Sequence, residues 1–205
     1  MTKLNLKILF IIKILVVGLF CSFASYSSDL SKSKGMVILG SNDALVKIKI
    51  FSSLTCPHCA NFHTEVVSQI KKEYVETGKV QLIFVDFPLD QAAFNASKLL
   101  HCIDNSHQMR FLDTIYEKQN EWTNSTNMND VNNSLKKIVE NLGISSINFE
   151  ECLIDEFISD KILNGRIDAS KKYSINATPT IIINEKKLEG SVNFENIKKR
   201  IEKLI

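Results

Sequence analysis

Two cysteines separated by two residues, Cys56 and Cys59, have the side chains and the spacing best suited to chemistry in this sequence. With Pro57 and His58 between them, they form the motif Cys-Pro-His-Cys. Two such thiols can alternate between a dithiol and a disulfide, and the thiolate is the reactive form. The motif therefore indicates thiol–disulfide exchange, with metal binding as the alternative that the same spacing leaves open.

The elements that must position this motif are a strand before it and a helix after it. Residues 46–50 alternate β-branched residues with lysines and lead into Phe51, which is the period-two pattern of a strand. Apolar residues within 66–74 recur at helical spacing, and Gly78 closes that segment. Pro57 suits the first helical turn, because that turn has no use for the missing N–H and needs the fixed φ. The motif is therefore predicted to lie where a strand ends and a helix begins.

That location favours an anion at the first cysteine. The start of a helix carries unpaired N–H groups and about half a positive charge. The anion here would be the Cys56 thiolate, and a protonated His58 would add a second positive charge nearby. A stabilised thiolate makes the corresponding disulfide a better oxidant and makes Cys56 a better leaving group.

This stretch closely resembles the active site of the DsbA family of thioredoxin-fold thiol oxidases. The shared residues are the aromatic Phe51 at the strand end, the whole motif 56–59, and Thr178 and Pro179 immediately before a later apolar strand. The resemblance implies an α/β chain with a thioredoxin fold and an inserted helical domain.

The resemblance also implies a role for each of these residues. Cys56 would be the exposed thiol that forms the mixed disulfide with the substrate, Cys59 the buried resolving thiol, and His58 the residue that tunes the thiolate. Pro179 would follow a cis peptide bond and face the motif, and the backbone of Thr178 would pair with the substrate peptide as an added strand.

The sequence departs from the family at one position. The family often carries a buried acid six residues before the first cysteine, and this position is Ile50 here. The resemblance therefore supplies no carboxylate at that place for proton transfer to Cys59.

The competing interpretation of the motif is a zinc site. Cys56, Cys59 and His63 have the spacing C-x2-C-x3-H, but structural zinc needs four ligands and no second close pair follows. We expect His63 to be a solvated helix residue. We also expect His101 and His107 to be surface or helix-cap residues, and we expect no metal site.

Composition limits the classes of function. The chain has 205 residues, of which 44% are hydrophobic and 23% charged, as in an ordinary globular protein. The formal net charge is +2, and residues 1–24 contain three lysines and no acids, which leaves −1 for the remainder. This near-neutral balance gives no support for nucleic-acid binding, which requires a basic face.

The N-terminus has the pattern of a secretory signal peptide. Lysines precede an apolar run at 14–24, with small residues before a cleavage site expected after Ala24. The alternative is an uncleaved anchor, although the apolar stretch is short for a membrane span and Lys13 interrupts it. Cleavage predicts export to the periplasm and leaves four of the five cysteines.

Two of those four cysteines, Cys102 and Cys152, lie on different predicted helices. An even number of cysteines in an exported chain is compatible with two disulfides. We expect a structural disulfide between Cys102 and Cys152, and two buried free thiols are the alternative. The pair lacks the spacing of a catalytic motif.

The remaining pattern is that of an α/β fold interrupted by helices. Strands are predicted at 36–39, lying beside the strand at 46–52, at 80–87, at 180–184 and, as a short edge strand, at 188–190. Helices are predicted from the motif to about Thr77, at 90–104, 108–119, 131–142 and 148–156, in a long helix ending at Tyr173, and at 194–204. Residues 124–133 are predicted to be a loop.

This pattern predicts the domain organisation. It comprises a signal peptide at 1–24, a linker at 25–34, a discontinuous thioredoxin domain at 35–88 and 164–205, and an inserted helical domain at 89–163.

The function expected from the motif and the resemblance is that of an exported protein thiol:disulfide oxidoreductase that introduces disulfides into other proteins. Its partners would be unfolded or reduced exported proteins and a membrane quinone-linked oxidase of the DsbB type. We expect no cofactor and a monomer. The alternatives are a disulfide isomerase or reductase with the same site, and a metal-binding module without enzymatic activity.

Overall fold

Five strands form one mixed sheet in the part of the chain that the computed structural model describes, residues 36–205. They are β1 (Val37–Leu39), β2 (Val46–Ser52), β3 (Val80–Asp86), β4 (Thr180–Ile183) and β5 (Lys186–Lys187). The order across the sheet is β1-β3-β2-β4-β5, with β2 and β3 parallel and the other neighbours antiparallel. The predicted signal peptide at 1–24 and the linker at 25–34 lie outside the described residues.

The central strand, β2, has the bounds that its alternating pattern predicted. Val46, Ile48 and Ile50 are buried in the core, whereas Lys47 is exposed. Because β3 and β4 pair with its two edges, β2 is held on both sides. Its last residue, Ser52, therefore fixes the end of the sheet from which the motif continues.

The first strand lies elsewhere in the sheet than predicted. The sequence placed it beside β2, but β1 pairs with the outer edge of β3, with Ile38 opposite Ile83. The reason is that β3 and β4 occupy both edges of β2, so the next free edge belongs to β3.

The edge strand β5 also differs from the prediction of 188–190. Asn184 and Glu185 have φ values of 43° and 66°, and they form a two-residue turn that brings Lys186 opposite Ile183. Tight hairpins favour this conformation, and asparagine tolerates positive φ. The strand therefore resumes two residues earlier than the sequence indicated.

The helix after the motif, α1, spans 57–75 and connects the parallel strands β2 and β3. It is α-helical in Pro57–Asn61 and Ser68–Ile70 and π-helical in Phe62–Val67 and Lys71–Val75. Strand, helix and strand form the predicted βαβ unit. The apolar residues that predicted the helix are buried, namely Val66, Val67, Ile70 and Tyr74.

Six helices lie between β3 and β4. They are α2 (Gln91–Cys102), α3 (Asn105–Glu117), α4 (Gln119–Trp122), α5 (Met128–Asn141), α6 (Phe149–Ile154) and α7 (Glu156–Tyr173). Four of them begin at a residue whose side chain accepts a backbone N–H of the first turn, namely Asp90, Asn127, Asn148 and Asp155. The cap at Asn127 starts α5 within the stretch predicted as a loop, and the short α4 was not predicted.

The division into domains at 35–88 with 164–205 and at 89–163 stays a prediction, and one of its boundaries falls inside a helix. The helix α7 is continuous across residues 163 and 164. Its apolar residues are unevenly buried, since Ile162 is in the core while Leu163 and Ile167 are exposed.

The last helix, α8 (Phe194–Glu202), packs Ile197 and Ile201 into the main core. Within residues 36–205, no helix has both the length and the apolar character that crossing a membrane requires.

Candidate active site

Cys56 lies at the junction that the sequence predicted, as the last residue before α1. It has an extended backbone, with φ −76° and ψ 119°, and Pro57 occupies the first helical position. The carbonyl oxygen of Cys56 accepts the N–H groups of Cys59 and Ala60 at 3.0 and 3.1 Å, which closes the first turn. Strand end and helix start together place the Cys56 side chain at the end of the sheet.

The residues before the later strand lie against the motif. The Thr178–Pro179 peptide bond is cis. The Sγ atom of Cys56 lies 3.4 Å from the carbonyl oxygen of Thr178, to which the thiol can donate. Residues 122 positions apart in the sequence are thus brought together at one site.

His58 is exposed on the first turn of α1. It lines a cavity of about 370 Å³ together with Phe62, Thr178 and Pro179. The structure therefore places His58, Thr178 and Pro179 around one depression, and Cys56 contacts the Thr178 carbonyl beside it.

Both cysteines are free thiols and both are buried, with 9% of Cys56 and 1% of Cys59 exposed, so Cys59 is the inner cysteine of the pair. The expectation of an exposed Cys56 was therefore wrong, because Cys56 packs against the Thr178 carbonyl. Burial raises the pKa of the Cys59 thiol to about 12, and the negative charge of Cys56 acts in the same direction. Cys59 is therefore a protonated thiol at neutral pH.

The hydroxyl of Thr178 is buried beside this thiol. Its Oγ1 atom makes no hydrogen bond with any of the described residues. It nevertheless lies close enough to Cys59 to lower the pKa of that thiol, against the larger effect of burial. A buried hydroxyl without a partner is a donor available to a Cys59 thiolate.

The helices between β3 and β4 hold the loop that carries the motif. The side-chain amide of Gln119 is buried and donates to the carbonyl oxygens of Leu54 and Cys56 at 2.8 and 3.1 Å. The hydroxyl of Thr55 donates to Asp90 at 2.6 Å, and Asp90 also caps α2. The sequence reasoning missed Gln119 and Asp90, because nothing in their local pattern indicates which loop they support.

His63 does not lie on a solvated face, and that expectation was wrong. It is buried, with Nε2 2.7 Å from Oδ1 of Asp113 and its ring 4.7 Å from that of Tyr116. The residue one turn beyond Cys59 faces α3 rather than solvent. In the described part of the chain, no group of three or more His, Cys, Asp or Glu side chains is arranged to hold a metal ion.

His101 was also wrongly expected at the surface. Its side chain is 6% exposed, and Nε2 lies 2.6 Å from Oδ2 of Asp86. The hydroxyl of Ser97 donates to the other oxygen of Asp86 at 2.6 Å. Asp86 is opposite Ser52 across β2 and β3, so this polar cluster lies at the end of the sheet that carries the motif. His107, in contrast, is partly exposed in the first turn of α3.

The other two cysteines are bonded to each other. Cys102 at the end of α2 and Cys152 in α6 form a disulfide, with their Cα atoms 6.1 Å apart. The bond closes a loop with a sequence separation of 50. Its structural role stays a prediction.

Comparison with known protein families and structures agrees with this arrangement. A protein-family profile described as Thioredoxin matches residues 32–203. The crystal structure of Wolbachia pipientis alpha-DsbA1 is 31% identical, with a TM-score of 0.73, and the match covers 82% of this chain and 90% of that one. The chain is a DsbA-like member of the thioredoxin family. The predicted thioredoxin fold with an inserted helical domain is therefore confirmed.

Other DsbA-like relatives carry names that refer to disulfide chemistry. Disulfide bond formation protein D of Bacillus subtilis is 28% identical over 178 residues, which are 83% of this chain and 77% of the relative. The crystal structure of oxidised BdbD from the same organism has a TM-score of 0.68 at 25% identity, covering 83% and 92% of the two chains. A Rickettsia bellii relative, whose name is that of a protein-disulfide oxidoreductase, is 26% identical over 170 residues. That match covers 82% of this chain but only 64% of the relative's length.

Proposed function

We propose that this DsbA-like chain is a protein thiol:disulfide oxidoreductase that introduces disulfide bonds into other proteins. The observation that carries the proposal is the asymmetry of the two thiols. Cys56 stands at the helix start against the Thr178 carbonyl with 9% of its surface exposed, whereas Cys59 is 1% exposed and its pKa is raised to about 12. One thiol is suited to react with a substrate and the other to resolve the product.

The reaction begins with the Cys56–Cys59 disulfide. A substrate thiolate attacks Sγ of Cys56, and the bond between the two cysteines breaks. Cys59 leaves with the electron pair and takes up a proton, as its raised pKa favours. A mixed disulfide between Cys56 and the substrate remains.

A second substrate thiolate then attacks the substrate sulfur of the mixed disulfide. Cys56 leaves as a thiolate at the start of α1, where the helix dipole favours a negative charge. The substrate loses two electrons and forms a disulfide, and the motif gains those electrons and becomes a dithiol. Turnover therefore needs an oxidant for the motif.

The cavity beside the motif is suited to hold the substrate polypeptide. It is lined by polar and apolar side chains, including His58, Phe62 and Pro179. Thr178 lines this cavity, and its carbonyl oxygen lies 3.4 Å from the Cys56 sulfur. We assign Thr178 and Pro179 to substrate binding, with the Thr178 backbone pairing with an extended substrate segment.

We further propose that the chain acts after export to the periplasm, as a monomer without a cofactor. Reduced or unfolded exported proteins are the proposed substrates, and a DsbB-like membrane quinone-linked oxidase is the proposed oxidant. The pattern of residues 1–24 supports export, and mass spectrometry of the mature N-terminus tests it. A mature protein that starts at Met1 would exclude cleavage.

Oxidation of a reduced protein tests the activity. Mature protein with an oxidised motif is mixed with excess reduced, denatured ribonuclease A, and disulfides in the substrate are counted after acid quenching. The proposal predicts one substrate disulfide per motif. Cys56→Ser should abolish transfer, whereas reduced Cys59→Ser should still form a mixed disulfide at Cys56 with an activated substrate disulfide. Stoichiometric zinc or copper binding with no disulfide transfer would indicate a metal-binding module instead.

A further inference from the structure

A strongly basic groove lies between β5 and α8. It has a volume of about 750 Å³, and its cations are Lys186, Lys187, Lys199, Arg200 and Lys203. One carboxylate, Glu189, also lines it. The floor includes the apolar side chains of Ile183 and Leu188. We call this feature the basic groove.

None of the five cations has an acidic partner among the residues that the structure describes. Among the described residues, Lys186, Lys199, Arg200 and Lys203 make no ion pair, and Lys187 donates to the backbone oxygen of Ser174. Uncompensated like charges around one depression repel each other unless an anion enters. The basic groove is therefore suited to an anionic group.

The charge of the basic groove contrasts with the rest of the chain. Residues 25–205 carry a formal charge of −1, and the groove has five cations and one carboxylate. The remaining residues of that span therefore carry −5 in total. Lysines on an edge strand often have the sole function of preventing association with other sheets. Lys186 and Lys187 of β5, however, line the same groove as the cations of α8.

The basic groove is connected to the candidate active site. The cavity beside Cys56, which His58 and Pro179 line, ends at Asn193. A second depression of about 520 Å³ includes Asn193 and also Asn196 and Lys199, which belong to the basic groove. Neighbouring depressions thus share lining residues, from Asn193 before α8 to Lys199 within it.

We propose that an extended substrate segment runs from Cys56 along α8 into the basic groove, so that the enzyme prefers substrates with acidic residues at a distance from the reacting cysteine. This inference rests on the proposed function. It commits to an acidic polypeptide, because a chain bound at Cys56 can extend over the shared residues Asn193 and Asn196 to the five cations.

Helix geometry gives the spacing between the substrate's cysteine and its acidic residues. From Asn193 to Arg200, α8 rises about 10 Å, which an extended chain spans in about three residues. The cavity of about 370 Å³ beside the motif is roughly 7 Å across, which adds about two residues. Glu195 lines the middle depression and Glu189 lines both it and the basic groove, so acids are favoured beside the cations furthest along, Arg200 and Lys203. We expect them roughly four to eight residues from the cysteine.

Matched peptides test this preference. Each carries a pair of cysteines and, five to seven residues away on either side, Asp-Glu-Asp or the neutral Asn-Gln-Asn. Their oxidation by protein with the motif disulfide is followed by acid quenching and mass spectrometry. The acidic triplet can reach the basic groove from only one side of the cysteine pair. We expect the acidic peptide with that arrangement to react about tenfold faster than its neutral counterpart at low salt, and this advantage should decrease as salt is added.

Two variants separate the basic groove from general charge. Arg200→Gln/Lys203→Gln should lose most of the preference, whereas Lys72→Gln/Lys137→Gln removes two exposed cations elsewhere and should keep it. Both variants should oxidise the neutral peptide at the wild-type rate. Equal rates for acidic and neutral peptides, or equal losses in the two variants, would overturn the proposal.

Binding measured without turnover distinguishes this proposal from the proposed function. If no peptide is oxidised, the proposed function fails, and fluorescence polarisation with cysteine-free acidic and neutral peptides still measures the preference. Vesicles with and without phosphatidylglycerol provide the remaining comparison. Groove-dependent binding to the anionic vesicles without any peptide preference would overturn the proposal in favour of a lipid surface.

Discussion

The sulfur of Cys56 lies 3.4 Å from the carbonyl oxygen of Thr178. Thr178 thus contacts the outer cysteine through its backbone, and its side chain is buried beside the inner cysteine, Cys59. The backbone and the side chain of Thr178 therefore act on different cysteines. The backbone oxygen borders the place where a substrate sulfur must approach. The hydroxyl acts on Cys59.

Replacing Thr178 by valine removes a buried hydroxyl that has no partner among the described residues. Because no hydrogen bond is lost, we expect the free energy of unfolding of the reduced protein to stay constant or to rise by about 1 kcal/mol. The pKa of Cys59 should rise further. Urea unfolding and the Cβ chemical shift of labelled Cys59 measure the two effects.

Thr180→Val is the matched control, since the buried hydroxyl of Thr180 donates to the Ala177 oxygen at 2.7 Å. This variant should lose about 1 kcal/mol of stability. Equal losses in Thr178→Val and Thr180→Val would mean that the Thr178 hydroxyl has a partner in solution.

The stability of the reduced protein should decrease at alkaline pH because of Cys59. Burial raises the pKa of this thiol from 9.0 to about 12 in the folded state. The folded state thus favours the neutral thiol. Its contribution to the free energy of unfolding is fully present below pH 9 and is lost as the pH rises from 9 to 12. By pH 10.5 the loss should reach about 2 kcal/mol.

Comparison with reduced Cys59→Ala isolates this contribution from other alkaline titrations. Urea unfolding of both proteins between pH 7.5 and 10.5 gives the difference in free energy of unfolding. We expect the advantage of the wild type to shrink as the pH rises. A difference that is independent of pH would contradict a raised pKa at Cys59.

Gln119→Met should weaken the support of the motif. The substitution keeps the length of the side chain but leaves the carbonyl oxygens of Leu54 and Cys56 without their buried donor. We expect a loss of about 1–3 kcal/mol in stability and slower disulfide transfer. Gln69→Met, on the exposed face of α1, should change neither quantity by a comparable amount. Full stability in Gln119→Met would show that the loop does not depend on this amide.

Removing the second disulfide should affect stability rather than exchange chemistry. Cys102→Ala/Cys152→Ala opens a loop with a sequence separation of 50, for which chain entropy gives a loss of about 4 kcal/mol. Disulfide transfer from the motif should remain, as measured with reduced ribonuclease A below the midpoint of unfolding. Loss of transfer in a folded double variant would assign a redox role to this bond.

Local pattern was sufficient to predict the elements that position the motif. β2 alternates apolar and charged residues, and Pro57 fits the first turn of a helix but not its interior. The strand end and the helix start follow from residues close in the sequence. The positions of β1 and β5 do not, because they depend on which sheet edge is free and on a turn with positive φ at Asn184 and Glu185.

The buried polar residues could not be paired from sequence alone. The Asp86–His101 contact joins a strand to a helix, and Gln119 reaches a loop 65 residues earlier. His63 did carry a signal. It follows Cys59 by one turn and precedes Val67 and Ile70 on the same buried stripe of α1, which argues against a solvated position. Its partner Asp113 became evident only once α3 was in place.

The reduction potential of the Cys56–Cys59 pair tests the proposed direction of electron flow most directly. It is measured by equilibrating the mature protein with glutathione buffers of known ratio and counting the free thiols. If the motif donates disulfides, as proposed, its potential should be about −120 mV. A value near −270 mV would make the protein a reductase and would contradict the proposed function.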